Sequence, residues 1–335
     1  MLDVAVVILN WNGLFLLQKF IPILLKYNSY GYHIYIVDNG STDDSIDWIC
    51  DNYSDEIQVV ALSENFGFAK GYNEGLKQID ADYYILLNSD VAVSENWCEP
   101  LINFLQNNHD YAVVQPKILS YKNPDYFEYA GAAGGYVDKW GYPFCRGRIF
   151  NKIEKDEGQY DDIVDIFWAS GACFVVRAEV FKKLNGFDDR FFAHMEEIDL
   201  CWRIWRNGYK VAAVPLSAVY HLGGASLDYN DPRKLFLNIR NNHLMLYKNL
   251  TSDIFKKISH VRHMIEYLML FFYFCTGKIS NAKAILSAYK DFNDLKKYYK
   301  PANEASILKL LYPRSILVDY YLKNKKKFSK LKWKI

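Results

Sequence analysis

The sequence predicts an α/β fold, an open and mostly parallel sheet flanked by helices, with a C-terminal helical extension. Three observations predict it. The first 120 residues alternate apolar strand-like runs with helix-like runs, the order that builds parallel sheets through crossover connections. Polar clusters stand directly after the strand-like runs, where ligands bind in such sheets. Beyond about residue 250 the chain becomes lysine-rich and partly apolar.

In chain order, VAVVILN (4–10) reads as a buried strand, LFLLQKFIPILLKY (14–27) as a helix and YHIYIVDN (32–39) as a strand. SIDWICDNY (45–53) is a helix, IQVVALS (57–63) a strand, GFAKGYNEGLKQI (67–79) a helix and YYILLNSD (83–90) a strand. After residue 120 the pattern loosens into the aromatic, glycine-rich YAGAAGGYVDKWGYPF, and ACFVVR (172–177) restores a strand. From Ile198 the apolar residues Ile198, Cys201, Trp202 and Trp205 follow helical spacing, and Arg206-Asn207-Gly208 reads as the helix end. Glu196, Glu197 and Asp199 crowd its start. Acidic residues in a first turn gain ~0.3–1 kcal/mol each from the helix dipole, so a structural reading of these three stands beside a chemical one.

A chain of 335 residues, 51% hydrophobic and 24% charged, has room for one large domain and an extension. Its six cysteines lack CxxC or zinc-finger spacing and read as thiols of a reducing compartment. MLDVAVVILNWNG has no basic n-region and reads as a first strand, so the chain is expected to stay in the cytoplasm. The net charge of +1 hides an asymmetry: residues 251–335 carry 18 Lys and Arg against 6 Asp and Glu, and residues 1–250 carry 22 against 33. MIEYLMLFFYFCT (264–276) is shorter than the ~20 residues that span a bilayer. It is expected to lie in a membrane interface, or to be a buried helix. The closing KNKKKFSKLKWKI interleaves lysines with Phe328, Leu331 and Trp333, a pattern that suits phospholipid headgroups at the inner leaflet better than nucleic acid.

The first strand leads to NWNG rather than GxGxxG, and there is no P-loop, so dinucleotide and P-loop chemistry lose their main support. Taken together, VVILNWNG, IVDNGSTDDS, ENFGFAKGYNEG, YILLNSD, WASGACFVVR, GFDDRFFAHMEEIDLCWR and VYHLGG resemble the family 2 glycosyltransferases of the GT-A fold. The similarity is strongest to rhamnosyltransferase-like members that build bacterial surface polysaccharides. It covers about residues 3–250, which sets the expected GT-A domain at 1–250 and a basic, membrane-associating extension at 251–335.

The resemblance implies roles position by position. Asp38 would accept a hydrogen bond from a pyrimidine ring N–H, a task that suits an acceptor-only carboxylate; the same residue in DNGS also reads as an Asx turn. Asn10 and Asn65 would line the nucleotide pocket, with Lys70 or Asn73 approaching from the next helix, while Gly67 and Gly71 allow close backbone approach. Asn88-Ser89-Asp90 stands where the family carries DxD. Asp90 would hold a divalent cation, Mg²⁺ or Mn²⁺, on the donor diphosphate, and Asn88 departs from the pattern by bringing no charge. His221 would complete the metal shell. In WASGA (168–172), Gly171 would let the donor sugar near the backbone, and Trp168 would stack on a sugar or fill the core. Glu197 would be the general base, with Glu196 supporting it and Asp199 as either another base or a partner for Arg203.

The implied function is metal-dependent, inverting transfer of a sugar from dTDP-rhamnose or a UDP-sugar to a lipid-linked saccharide, with oligomeric state left open. A degenerate sugar-nucleotide-binding or scaffold protein is the rival suggested by Asn88. A sugar nucleotidyltransferase would need a glycine-rich, basic loop that NWNGLF lacks, and nucleic-acid binding has support only from the tail.

Overall fold

Period-two burial builds the first half of the molecule. A computed structural model describes residues 2–28, 30–223, 231–304 and 307–333. The chain opens as β1 (Val4–Asn10), α1 (Leu14–Lys26), β2 (His33–Asp38), α2 (Ser45–Tyr53), β3 (Ile57–Ala61), α3 (Gly67–Leu76) and β4 (Tyr83–Leu87). In β1, Val4, Val6 and Ile8 pack with Leu17 and Ile21 of α1 on one face of the sheet. Ala5 and Val7 pack with Tyr72 and Leu76 of α3 on the other.

Next come β5 (Val91–Val93), α4 (Glu99–Asn107), β6 (Tyr111–Ser120), β7 (Gly135–Val137), β8 (Pro143–Cys145), β9 (Arg148–Ile149), β10 (Lys152–Ile153), β11 (Val164–Asp165) and β12 (Cys173–Arg177). The loosely patterned stretch after residue 120 is therefore not free of strands: β7 to β10 form a small antiparallel sheet. After α5 (Ala178–Lys183), α6 (Glu196–Arg206), β13 (Lys210–His221), α7 (Pro232–Asn249), α8 (Ser252–Cys275) and α9 (Ile279–Leu295) complete the elements used below. The strand that carries Val219, Tyr220 and His221 of VYHLGG is twelve residues long and pairs with β6 on both sides of an irregularity between Ala213 and Ala218. Gly224 of that motif lies outside the described residues.

The main sheet runs β11-β13-β6-β12-β4-β1-β2-β3, with β5 added on β13. Parallel pairs join β1 to β2, β1 to β4, β2 to β3 and β6 to β13, while β12 runs antiparallel between β4 and β6. One edge of the sheet therefore gathers the carboxyl ends of β1, β2, β4, β6 and β13 with the segment entering β12. Asn10 pairs with Asp38, Leu87 with Cys173, and His221 with both Ser120 and Val91.

One expectation for the C-terminal part needs correction, and of two readings of the apolar run 264–276 the buried one does not hold. Phe328 and Leu331 are buried, and Trp333 meets Tyr136 and Tyr312 edge-on at 5.4 and 5.3 Å. These side chains complete the core beneath β7, so the interleaved lysines are simply its solvent side, and the aromatic residues are not offered to headgroups. Lys334 and Ile335 lie outside the described residues. The apolar run 264–276 is the second half of α8, a 24-residue helix, and is not buried: Leu268 is 70% exposed and Phe271 65%. Among the described residues no helix is long and apolar enough to cross a membrane.

Candidate active site

Four loops meet at the carboxyl edge, and their side chains are knitted together. Asn10 Nδ2 donates to Asp38 Oδ1 at 3.0 Å and to Ser41 Oγ at 3.2 Å. The other oxygen of Asp38 accepts from the Ser41 backbone N–H at 2.9 Å, the Asx turn that DNGS encodes. Asn12 Oδ1 accepts from the Thr42 N–H at 2.7 Å and so fastens the first loop to the second. Asn10 Oδ1 is buried with no protein partner and leaves an acceptor at the strand ends. It points at Gly13, where an added Cβ would stand only 2.3 Å away.

Asn65 and Asn73 have local duties. Asn65 Oδ1 accepts from Asn39 Nδ2 and from the Gly67 N–H, which orders the start of α3. Asn73 bonds Phe187 through its N–H and its carbonyl and also reaches Asp189, so its amide faces the loop before α6. The Lys70 ammonium lies 4.2 Å from the Phe66 ring centroid. Trp168 is buried, donates from its indole to Tyr136 O at 3.0 Å, and covers Gly135 so closely that a Cβ there would be 2.0 Å from the ring. Of its two readings, the core one fits. Gly171 sits by Phe68, and Ala172 O accepts from the Asn88 N–H at 3.0 Å, joining WASGA to the segment of Asp90.

Asp90 and His221 meet as the β5–β13 register requires. His221 Nε2 is 3.0 Å from Asp90 Oδ1, and on the other side of the ring Nδ1 is 3.2 Å from Glu128 Oε2. Burial opposes charging of this imidazole, but the two carboxylates outweigh it and raise the ring to about 10. Glu128 was not visible in the sequence because it sits in an irregular loop without spacing to either partner. Among the described residues no group of three or more His, Cys, Asp or Glu could hold a metal alone. Asp90 and His221 would fit a site of two protein ligands completed by diphosphate oxygens only with the ring neutral, so an ion would have to displace the Nε2 proton that Asp90 holds, while Glu128 keeps the Nδ1 proton and orients the ring from behind.

The acidic segment is held by an unusual turn. Phe192, His194 and Met195 all have positive φ, at 64°, 71° and 73°, although none is glycine. Such residues cost about 1–3 kcal/mol each and persist only where the surroundings hold them. The holders are the Phe68 and Ala69 N–H groups, which donate to Phe192 O, and Asn241 Nδ2, which lies 2.7–2.9 Å from the carbonyls of Phe191, Ala193 and His194. Gly67 has no Cβ because the Phe192 ring occupies that space.

The helix that follows has no side-chain cap, so the three acids are not serving as one. Asp199 is completely buried and bonded to Arg203 at 2.8 Å, Lys248 at 3.0 Å and Asn249 at 2.8 Å. Burial alone would raise its pKa, but Lys248 and Arg203 hold it below the ordinary aspartate value. That is the Arg203-partner reading, with two further donors. Glu196 and Glu197 differ from it: Oε2 of each is buried and without a partner. Burial raises both, Glu197 to about 7, and Glu196 rises further because Glu197 stands beside it. His194, which sequence reading missed, has an unpartnered buried Nε2 and is lowered to about 4 by burial and by Lys234. An edge that bears a buried unpartnered acceptor on Asn10, an Asp–His pair and two carboxyls raised by burial suits acid–base chemistry on a bound phosphate ester.

Comparison with known proteins agrees. The model of glycosyl transferase family 2 matches residues 5–184. The N-acetylglucosaminyl-diphospho-decaprenol L-rhamnosyltransferase of Mycobacterium tuberculosis is 25% identical over 223 residues, 61% of this chain and 71% of that one. Rhamnosyltransferase WbbL of Escherichia coli is 26% identical over 227 residues, 64% of this chain and 83% of the relative. Among solved structures, GalNAc-T7 with UDP, GalNAc and Mn²⁺ superposes with a TM-score of 0.61 at 16% identity, over 97% of this chain and 58% of that chain. Staphylococcus aureus TarS with UDP-GlcNAc gives 0.57 at 14% identity, over 87% and 80%. With the match spanning more than half of its length and the GT-A architecture around the site, the chain belongs to glycosyl transferase family 2.

Proposed function

We propose that this glycosyltransferase moves a sugar, with inversion, from dTDP-rhamnose or a UDP-sugar to a lipid-linked saccharide in cell-surface polysaccharide assembly, on the cytoplasmic face of the membrane. The observation that carries the reading is the Glu196–Glu197 pair, with two buried unpartnered oxygens, at the sheet edge that also bears Asp38 and the Asp90–His221 pair. Asp38 and the free Asn10 oxygen would receive the pyrimidine nucleotide. Asp90 and His221 would hold Mg²⁺ or Mn²⁺ on the diphosphate, and the ion would supply charge neutralisation for the leaving group.

Glu197 is the half-buried member of its pair and the better placed to reach an acceptor. As the acceptor oxygen bonds the anomeric carbon, its proton passes to Glu197, and the electrons of the breaking sugar–phosphate bond leave on the diphosphate. Glu196, raised by burial and by the neighbouring Glu197, would support it by sharing the pair's proton. Residues 1–250 would bear these functions, and residues 251–335 would meet the membrane through the exposed side of α8 instead of the lysine tail.

Nucleoside diphosphate release from UDP-, dTDP- and GDP-sugars, with Mg²⁺ or Mn²⁺ and lipid-linked acceptor, tests the reading. One pyrimidine donor should turn over only with acceptor, and Glu197→Gln should bind that donor without turning it over. The scaffold reading, favoured by Asn88, requires donor binding without turnover in the unaltered chain.

A further inference from the structure

A cavity of about 400 Å³ lies between the turn after β7, the start of α8 and the segment 308–313. Asp138 fixes two of its walls. The buried carboxylate accepts from the N–H groups of Trp140 and Tyr142 at 2.9 Å and of Ile316 at 2.8 Å, and the Lys139 N–H donates to Tyr312 O at 2.8 Å. The turn that carries Lys139 and Trp140 is thereby tied to the segment that carries Leu308, Lys309 and Leu311.

The inside is apolar. The buried Ile258 and Leu311 and the half-buried Trp140 and Trp333 line it, and Trp333 is backed by Tyr136 and Tyr312. Three exposed lysines, Lys139, Lys257 and Lys309, line it as well, one from each of the three segments. Among the described residues none of their ammonium groups takes part in an ion pair; that of Lys139 lies 4.9 Å from the Trp140 ring centroid. Scattered surface lysines are ordinary, but three that converge from separate segments on one apolar hollow repel one another and favour an anion between them. The volume is that of a ligand pocket, and an occupant that satisfies both parts has a hydrocarbon portion and a negative head.

The cavity is also continuous with one face of α8. Ile254, Ile258, Val261, Ile265, Leu268 and Phe272 follow one another at spacings of four and three residues, so they share a side of the helix. That side starts at the cavity with Ile254 and Ile258 and ends in the exposed Leu268 and Phe272. At 1.5 Å per residue Leu268 lies about 15 Å beyond Ile258. An apolar stripe that leads into a lysine-rimmed hollow matches the surface of an anionic bilayer, where hydrocarbon and phosphate occur together.

We propose that this cavity takes one anionic phospholipid, with its phosphate among Lys139, Lys257 and Lys309 and an acyl chain against Trp140, Ile258, Leu311 and Trp333, while the α8 stripe rests in the same leaflet. The assignment rests on the reading that the exposed side of α8 meets the membrane, and deepens it by naming the class of lipid recognised.

The test uses the full chain and two short-chain lipids that dissolve as monomers, dihexanoyl phosphatidylglycerol and dihexanoyl phosphatidylcholine, compared by calorimetry at low salt. The anionic lipid should bind at least about tenfold tighter, and Lys139→Gln/Lys257→Gln/Lys309→Gln should erase that difference. Leu308→Trp, which fills the cavity from a half-buried position, should weaken both lipids, and thermal unfolding checks that each variant is folded. Equal binding of the two lipids by the unaltered chain, or anionic-lipid binding unchanged in both variants, overturns the proposal. Three other occupants would overturn it too. If farnesyl diphosphate binds more tightly than the phospholipid and is lost with the lysines, the cavity takes a lipid-linked acceptor. If only a chain ending at Trp333 binds lipid, the last two residues fill the space, and if Leu308→Trp converts a dimer to a monomer in light scattering, a second copy does. Leu268→Asp/Phe271→Asp separates the proposal from the reading beneath it: this variant should keep the short-chain lipid and lose anionic vesicles. Vesicle binding retained by it counts against the membrane role of the α8 stripe and not against the cavity, and none of these arms measures sugar transfer.

Discussion

Replacing Glu197 by Gln should make the protein more stable at pH 8 and nearly inactive. In the folded chain burial raises the Glu197 carboxyl to about 7 from the ordinary 4.5. The folded state therefore holds this proton more tightly than the unfolded state does. Its contribution to stability is fully present below pH 4.5 and is lost as pH rises through about 7. At about 1.4 kcal/mol per pH unit the ceiling is roughly 3 kcal/mol, and because the side chain is only half-buried, solvent screening reduces this to about 1–3 kcal/mol. Glutamine has nearly the same shape and nothing to ionise, so the variant avoids that loss. Urea denaturation of both proteins at pH 5 and pH 8 should show the stability difference shifting in the variant's favour by about 1–3 kcal/mol at the higher pH. In parallel, kcat should fall by about 10²–10⁴, and the unaltered enzyme's kcat/KM should rise with pH to a plateau above an apparent pKa near 7. A stability difference independent of pH, or a fully active variant, would refute the assignment of a buried, ionising base at this position.

Three further outcomes follow from the geometry. Asp199→Ala leaves Arg203 and Lys248 without their buried anion and should cost about 3–5 kcal/mol in denaturation experiments, while donor affinity in the folded fraction stays close to normal. Glu128→Gln should weaken Mn²⁺ binding in the presence of UDP by about 10–100-fold, and Asp90→Asn by at least as much, both read by titration of Mn²⁺ against UDP affinity. Leu268→Asp/Phe271→Asp, on the exposed side of α8, should change stability by less than about 1 kcal/mol and abolish binding to anionic vesicles in a flotation assay.

The strands and helices of the first 90 residues were legible because their burial follows simple periods, and Asn10 and Asp38 were legible because they end two of those strands. Asn65, Asn73 and Trp168 were also marked by position. Position does not tell which way a side chain turns, and each of the three satisfies its polar atoms inside a loop or the core. Glu128 and His194 were hidden for a different reason. Both lie in irregular segments, and each becomes notable only when the sheet brings distant residues beside it. The tail misled because alternating lysine with an aromatic residue describes any ribbon with one wet face. Composition gives the alternation, and only packing tells that the apolar face meets Tyr136 and Tyr312.

The strained turn before α6 links the carboxyl edge of the sheet to the C-terminal helices. Three left-handed residues and two unpartnered carboxylate oxygens are jointly unfavourable by several kcal/mol, at about 1–3 kcal/mol per strained residue, so an isolated turn of this sequence would relax. It is held by Arg240 and Asn241 of α7, which donate to the carbonyls of Arg190, Phe191, Ala193 and His194. Helix α7 is in turn fixed from the far side. His243 bonds Glu266 of α8 at 2.9 Å, Arg262 reaches the same carboxylate at 2.7 Å, and Tyr289 of α9 donates to it. Burial would raise the Glu266 carboxyl, yet Arg262 and His243 bring it down to about 2, so the anchor stays charged at every pH at which the enzyme would work. Helix α8 thus presents a charged side to the fold and an apolar side to the exterior. Whatever seats on the outer side bears on the element that holds the strained turn before Glu196 and Glu197, which gives the exposed side of α8 a physical route to the two carboxyls.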